Sequence, residues 1–329
     1  MATTGREQQG IELRGRRIWV AGHRGMVGSA ICRRLEREGC ELLTLGRKEV
    51  DLRRQHEVEA WMAAARPQLV FLAAATVGGI HANDTRPAEF LYDNLMIEAN
   101  IIEAARRVGV EKLLFLGSSC IYPRGAKQPM SEEALLTGPL EATNQWYAVA
   151  KIAGIKLCQA YRRQHGCDFI SAMPTNLYGP SDNFDLMSAH VLPALMVKID
   201  EAKRTGSATV EIWGTGTPRR EFLYCDDLAD ALVFLMRHYS GESHVNVGTG
   251  EDVTISEVAA LLAEVIGFTG RFHHDTSKPD GTPHKLLDVS RLSRLGWQAK
   301  TPLREGLEKT YRWFLETPEA RGRTATQAA

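Results

Sequence analysis

Arg17-Ile-Trp-Val-Ala-Gly22-His-Arg-Gly-Met-Val-Gly28 is the stretch on which the fold turns. Its first half is a short apolar run, and its second half carries Gly22, Gly25 and Gly28. The pattern predicts a strand over 17–22 that opens into a helix over 25–38, stopped by Gly39. Glycines at such a turn let the backbone approach a pyrophosphate. The helix N-terminus adds unpaired N–H groups and positive potential. Gly22, Arg24, Gly25, Met26, Val27 and Gly28 are therefore candidate cofactor contacts.

Working outward, the same alternation continues. A strand over 41–45 precedes a helix over 56–65, and Leu69-Val-Phe-Leu-Ala-Ala-Ala75 reads as a strand buried on both faces. A helix over 87–108 starts at a proline and stops at Gly109, followed by a strand over 112–119. The helix carrying Tyr147 runs to 165, and a strand spans 168–173. This rhythm implies an α/β chain, a Rossmann-like, doubly wound parallel sheet. Beyond Pro174 it loosens: a helix over 190–203, a strand over 210–213, a helix after Asp226-Asp227 and a returning strand at 245–247. Thr254-Ile-Ser-Glu257 resembles a capping box opening a helix to 266, and a last helix covers 303–315. The expected division is a disordered tail over 1–15 and a dinucleotide domain over 16–175 with a return at about 220–248. A smaller C-terminal substrate-binding lobe takes 176–219 and 249–318, and a second tail 319–329.

Composition bounds the partners. Forty Lys plus Arg balance forty Asp plus Glu among 329 residues, so no global field favours nucleic acid or an anionic membrane. No apolar run approaches the ~20 residues of a bilayer span, and the N-terminus has no apolar signal core. The six cysteines form no C-x-x-C pair, which suits reduced thiols in a cytoplasm. His273 and His274 lack partners at metal-ligand spacing, so no metal is expected.

Tyr147-Ala-Val-Ala-Lys151 places a phenol and an ammonium one helical turn apart. At about 4 Å and an effective dielectric of ~20 the attraction of ammonium for phenolate is roughly 4 kcal/mol, so Lys151 is expected to pull the tyrosine toward neutral pH. Ser118 and Ser119 end a strand at the edge where open α/β sheets bind ligands. One hydroxyl there would share a substrate carbonyl with Tyr147. The tip of the second strand reads Leu45-Gly46-Arg47-Lys48, without the acid that usually takes the ribose hydroxyls of NAD. Arg47, with Arg24, points instead to the 2′-phosphate of NADP, while Asp51 keeps NAD open. Cys120 reads either as a small buried hydrophobe or as a reactive thiol.

Four segments together resemble the extended short-chain dehydrogenase/reductases: 22–28, Gly117-Ser-Ser-Cys-Ile-Tyr-Pro123, 147–151, and Pro174-Thr-Asn-Leu-Tyr-Gly-Pro180. Ser-Ser-Cys-Ile-Tyr-Pro and Trp213-Gly-Thr-Gly-Thr-Pro-Arg-Arg-Glu-Phe222 narrow the resemblance to the branch acting on GDP-4-keto-6-deoxy-D-mannose. In that branch carbons 3 and 5 are epimerised and carbon 4 is reduced with NADPH. The likeness implies Ser118, Tyr147 and Lys151 as the reductase triad, with Cys120 and His190 as the acid/base pair for epimerisation. It further implies Ala74, Pro174 and His190 at the cofactor, and Asn176, Lys198, Trp213 and Arg220 at the nucleotide sugar. Lys198 stands where an arginine is more usual, Trp146 where a proline is, and Thr76 where a lysine is; Asp185-Leu-Met187 also departs from the pattern. Family dimers pair through helices like those over 87–108 and 147–165, which makes a homodimer the expectation.

Two enzymatic rivals share the fold. A 4,6-dehydratase would carry an acid after the strand-end hydroxyl, where this chain has Cys120-Ile121. A 4-epimerase would retain NAD tightly and has no use for a Cys-His pair. A catalytically idle NADP-binding sensor would have lost Tyr147 or Lys151.

Overall fold

A computed structural model describes residues 10–186, 188–278 and 280–322. The expected tail residues 1–9 and 323–329, and Met187 of the departing segment, lie outside the described residues.

Six parallel strands make the central sheet. The first half of the chain gives β1 (Arg17–Ala21), α1 (Met26–Leu35), β2 (Glu41–Leu43), α2 (Gln55–Ala65) and β3 (Leu69–Leu72). There follow α3 (Ile80–Thr85), α4 (Pro87–Val108), β4 (Lys112–Leu116), α5 (Gln145–His165) and β5 (Asp168–Pro174). The sixth strand arrives late, after β6 (Asn176–Tyr178), α6 (Val191–Thr205), β7 (Thr209–Trp213), β8 (Arg219–Arg220), β9 (Phe222–Tyr224) and α7 (Cys225–His238). It is β10 (Val245–Val247), and the sheet order is β10-β5-β4-β3-β1-β2. The chain therefore leaves β1 toward β2 and returns on the other side at β3, so the switch point lies between β1 and β3, where such sheets bind ligands.

Side-chain alternation explains why these strands need cover on both faces. Ile18 and Val20 of β1, Leu69 and Phe71 of β3, and Leu114 of β4 join one hydrophobic cluster. Their neighbours Trp19, Ala21, Val70, Leu72, Leu113 and Phe115 join the other. Each leucine, isoleucine, valine or phenylalanine among them contributes about 1.5–3 kcal/mol by leaving water. α1 and α7 pack together against the first cluster, and α4 packs on α2 and α5 over the second.

The C-terminal segments extend the first cluster without a break. They are β11 (Val253–Thr254), α8 (Ile255–Ile266), β12 (Arg271–Asp275), β13 (His284–Lys285), α9 (Ser290–Leu295), α10 (Leu303–Glu316) and α11 (Pro318–Gly322). Leu192, Val258 and Leu307 belong to the same cluster as Ile18. Thr254 and Glu257 form the reciprocal capping box, at 3.0 Å and 2.7 Å.

Two expectations need correction here. Residues 10–15 are no tail: Leu13 is fully buried, and Ile11 N donates to Arg237 O at 3.0 Å. Residues 318–322 form α11, with Ala320 buried. Both segments carry an apolar side chain that the core takes up, a detail that their polar composition hides.

Candidate active site

The glycine loop sits at the switch point. Gly22 leaves β1 at φ +89°, and a Cβ there would fall 2.8 Å from the Ala74 backbone beyond β3. A Cβ on Gly28 would lie 2.0 Å from Gly22 O. Only bare backbone fits, which makes the cradle that a pyrophosphate requires. α1 starts behind Gly25 with no side-chain cap and no acid in its first turn, leaving its positive end open.

The tip of β2 carries the charges that sort cofactors. Arg24 and Glu49 both crowd Gly46, whose N–H donates to Glu49 Oε2 at 2.7 Å. Arg47 is exposed beside them. Asp51, the acid that kept NAD open, is committed elsewhere: Arg53 Nη2 donates to it at 2.8 Å and holds its carboxyl well below the usual range, at about 2. Arg53 also reaches Asp93 at 3.2 Å, and the Thr76 hydroxyl donates to Asp93 at 3.3 Å. The departure at Thr76 thus keeps a polar contact of its own.

Tyr147 enters on the first turn of α5, its ring edge-on to Phe90 at 6.4 Å. Lys151 lies one turn on, with Nζ 5.7 Å from the Tyr147 ring centroid and 4.8 Å from that of Phe115. The expected pull of Lys151 on the phenol is not what the geometry gives. Lys151 Nζ is bonded to Glu98 Oε1 at 2.9 Å, and both side chains are 2 % exposed. Burial pushes the Tyr147 hydroxyl well above its ordinary value, and Cys120 and Glu98 add to it. The acid that cancels the lysine comes from α4, some fifty residues upstream, where no local pattern announces it.

Ser118 caps a single 3₁₀ turn, Ser119–Ile121, and its Oγ accepts from Cys120 N at 3.4 Å. The Cys120 thiol is buried and raised by that burial, while Lys285 and Ser118 pull the other way. His190 is the N-cap residue of α6 and is open to solvent, though walled by protein. Desolvation and then Lys285 hold it below the usual imidazole range. The phenol, the thiol and Ser118 therefore form one group, and Lys285 links the thiol electrostatically to His190.

Lys285 is the residue that sequence reading missed. It lies on β13, in parallel register with Arg220 of β8. Burial lowers it, Cys120 and Glu141 act against that, and Arg220 adds to it. Arg220 is lowered by burial as well, with Asp280 opposing. Two desolvated cations side by side favour an anion between them. The only sequence signal was a lysine after Gly-Thr-Pro-His, which carries no recognised spacing.

The remaining candidates lie on neighbouring elements. Pro174 ends β5 opposite Val247, and Asn176 Nδ2 donates to Glu221 O at 2.9 Å. Trp213 projects from β7 and is 61 % exposed, so it is no core residue of that strand. Lys198 Nζ and Lys278 Nζ sit 5.1 Å and 5.6 Å from its ring centroid, and Lys198 also donates to Glu211 O at 3.3 Å.

The chain is similar to known proteins over most of its length. Residues 18–248 match the NAD dependent epimerase/dehydratase family. A GDP-L-fucose synthase of Sinorhizobium fredii is 60% identical over 303 residues, 92% of this chain and 96% of that protein. That of Escherichia coli K12 is 54% identical over 92% of this chain and 98% of its own. A GDP-L-fucose synthetase of Naegleria fowleri solved with NADP superposes with a TM-score of 0.88 at 32% identity, over 96% of this chain and 99% of that one. On sequence and fold alike, the chain belongs to the NAD dependent epimerase/dehydratase family, among the GDP-L-fucose synthases.

Proposed function

We propose that this protein converts GDP-4-keto-6-deoxy-D-mannose to GDP-L-fucose with NADPH, epimerising carbons 3 and 5 and then reducing carbon 4. The observation that carries this reading is that the 3₁₀ turn bearing Cys120 packs against α5, which bears Tyr147, while Cys120 and Lys285 line one cavity. A reductase needs only the phenol, the lysine and Ser118. A separate thiol and imidazole answer the need for proton transfer on two faces of a sugar.

The cradle of Gly22 and Gly28 fits a dinucleotide, and Arg24 with Arg47 supplies the charge for a 2′-phosphate. When bound, NADPH supplies the hydride. Tyr147 donates the proton to the carbonyl oxygen at carbon 4, and the Ser118 hydroxyl holds the same oxygen. During epimerisation these two groups steady the enolate oxygen, because carbons 3 and 5 flank the ketone. Lys151 orients the ribose. Cys120 and His190 remove and return protons at carbons 3 and 5. Arg220 and Lys285 take the diphosphate, with Lys198 and Trp213 further along the nucleotide and Asn176 toward the sugar. In this reading residues 16–175 with 220–248 hold the cofactor, and 176–219 with 249–318 hold the sugar nucleotide.

The working form is a cytoplasmic homodimer. In support, Tyr92 of α4 and Trp146 and Val149 of α5 are large apolar side chains left exposed on adjacent helices. No helix among the described residues is long and apolar enough to cross a membrane.

The test is a single reaction: purified protein, GDP-4-keto-6-deoxy-D-mannose and NADPH, followed by absorbance, with the product assigned by NMR. NADPH oxidation with GDP-L-fucose formed is the expected result. A product reduced at carbon 4 but not inverted at carbons 3 and 5 would remove Cys120 and His190 from the mechanism. No oxidation would move the substrate to another nucleotide sugar.

A further inference from the structure

Glu221 stands between β8 and β9 and is fully buried, a carboxyl group with no part in the chemistry described above. Three backbone N–H groups from two distant segments converge on it. Thr249 N and Gly250 N, just past β10, donate to Oε1 at 2.7 Å and 2.8 Å. Leu287 N, two residues past β13, donates to Oε2 at 3.0 Å. Gly248 leaves the room for this: a Cβ there would fall 2.1 Å from Oε1. Burial raises the carboxyl and the three donors oppose it. The bonds need only lone pairs, which both oxygens keep in either protonation state.

The Leu287 bond does what the strand ladder cannot. β8 is the middle strand of β11-β8-β13, where Arg219 N donates to Pro283 O and Glu221 N to Lys285 O. Beyond Lys285 the chain turns to Met130, which donates to Leu286 O and accepts from Asp288 N. Leu287 N falls at that handover in a residue 1 % exposed, and the Glu221 side chain extends the pairing one step to meet it. A two-residue strand has no alternation to fix its register, and a slip of one residue would turn Lys285 to the other face. In register, Lys285 lies opposite Arg220 and lines one cavity with Cys120.

We propose that Glu221 is a positioning residue for substrate binding: it locks β13 on β8, so that the Lys285 ammonium stands beside Arg220 and in the cavity of Cys120. The inference rests on the reading that Arg220 and Lys285 take the diphosphate.

Glu221→Gln tests it. The amide oxygen can keep the two donors at Oε1, and its NH2 group then confronts the Leu287 N–H. GDP binding, followed by calorimetry, is expected to weaken about 10-fold or more, with NADPH affinity unchanged. A readout without nucleotide is the rate at which iodoacetamide alkylates Cys120 at one fixed alkaline pH, followed by mass spectrometry. Burial raises that thiol, and Lys285 is foremost among the groups opposing it, ahead of Ser118 and Lys151. The rate is expected to fall about 10-fold in Glu221→Gln, as in Lys285→Met. Simple loosening of the fold does the reverse, exposing the thiol and speeding its alkylation. Gly248→Ala displaces the carboxylate and keeps every charge; it is expected to match Glu221→Gln, and replaces it should that protein fail to fold. A variant with a lower urea midpoint but parental GDP affinity and parental alkylation overturns the proposal. A parent that does not bind GDP, with alkylation still slowed in the variants, refutes the diphosphate reading and leaves the register assignment standing.

Discussion

At the scale of single residues, function hangs on where protons sit. Cys120→Ser is expected to suppress solvent-deuterium entry at carbons 3 and 5 by roughly 10²-fold or more, with NADPH affinity unchanged. Normal exchange together with weakened cofactor binding would make Cys120 a packing residue. Ser118, Tyr147 and Lys151 stood out from the residues themselves, whereas Cys120 and His190 entered through the family resemblance. Their electrostatics were not legible. A glutamate amid the apolar residues of α4 carries no mark that distinguishes Glu98 from a solvated acid. Its role exists only because α4 and α5 bring it against a lysine far along the chain. Lys285 was hidden for the same reason, being placed by pairing of β13 with β8 and by nothing in its own neighbourhood.

Between elements, the contact of α4 with α5 leaves little room near the site. A methyl on Gly154 would lie 2.3 Å from Phe115 Cζ and 2.8 Å from Glu98 Oε2. Gly154→Ala gains up to ~1 kcal/mol in helix propensity and loses about 1–3 kcal/mol to overpacking, so a net loss is expected. Urea unfolding measures it; stability equal to or above the parent would mean that Phe115 turns aside freely. Long elements such as α4, α5, β3 and β4 were legible because period and apolar content agreed with their terminal Pro and Gly signals. The two-residue strands β8, β11 and β13 were not, since strands that short are defined by partners and leave no period to read. The same holds for α3, a single turn and a half between Gly79 and Arg86.

For the whole molecule, stability depends on pH through a buried histidine just ahead of β10. His244 is 3 % exposed, with Nε2 3.0 Å from the Tyr122 hydroxyl. Burial, then Arg291 and Lys156, lowers its pKa from 6.5 to about 4. An unfolded chain takes up that proton first as pH falls. The stabilising contribution is therefore whole above pH 6.5 and fades as pH drops toward about 4. It amounts to about 3 kcal/mol over that window. The difference in urea midpoint between the parent and His244→Gln is expected to change across it, and a constant difference would refute the assignment. The last strand of the sheet has a consequence for synthesis. β10 closes the edge beside β5, yet some seventy residues of chain, 175–244, are made between them. A ribosome must release all of that segment before the six-stranded sheet is whole. Nascent chains cut short ahead of Val245 are accordingly substrates for chaperones and proteases, and the two halves reach maturity in one event.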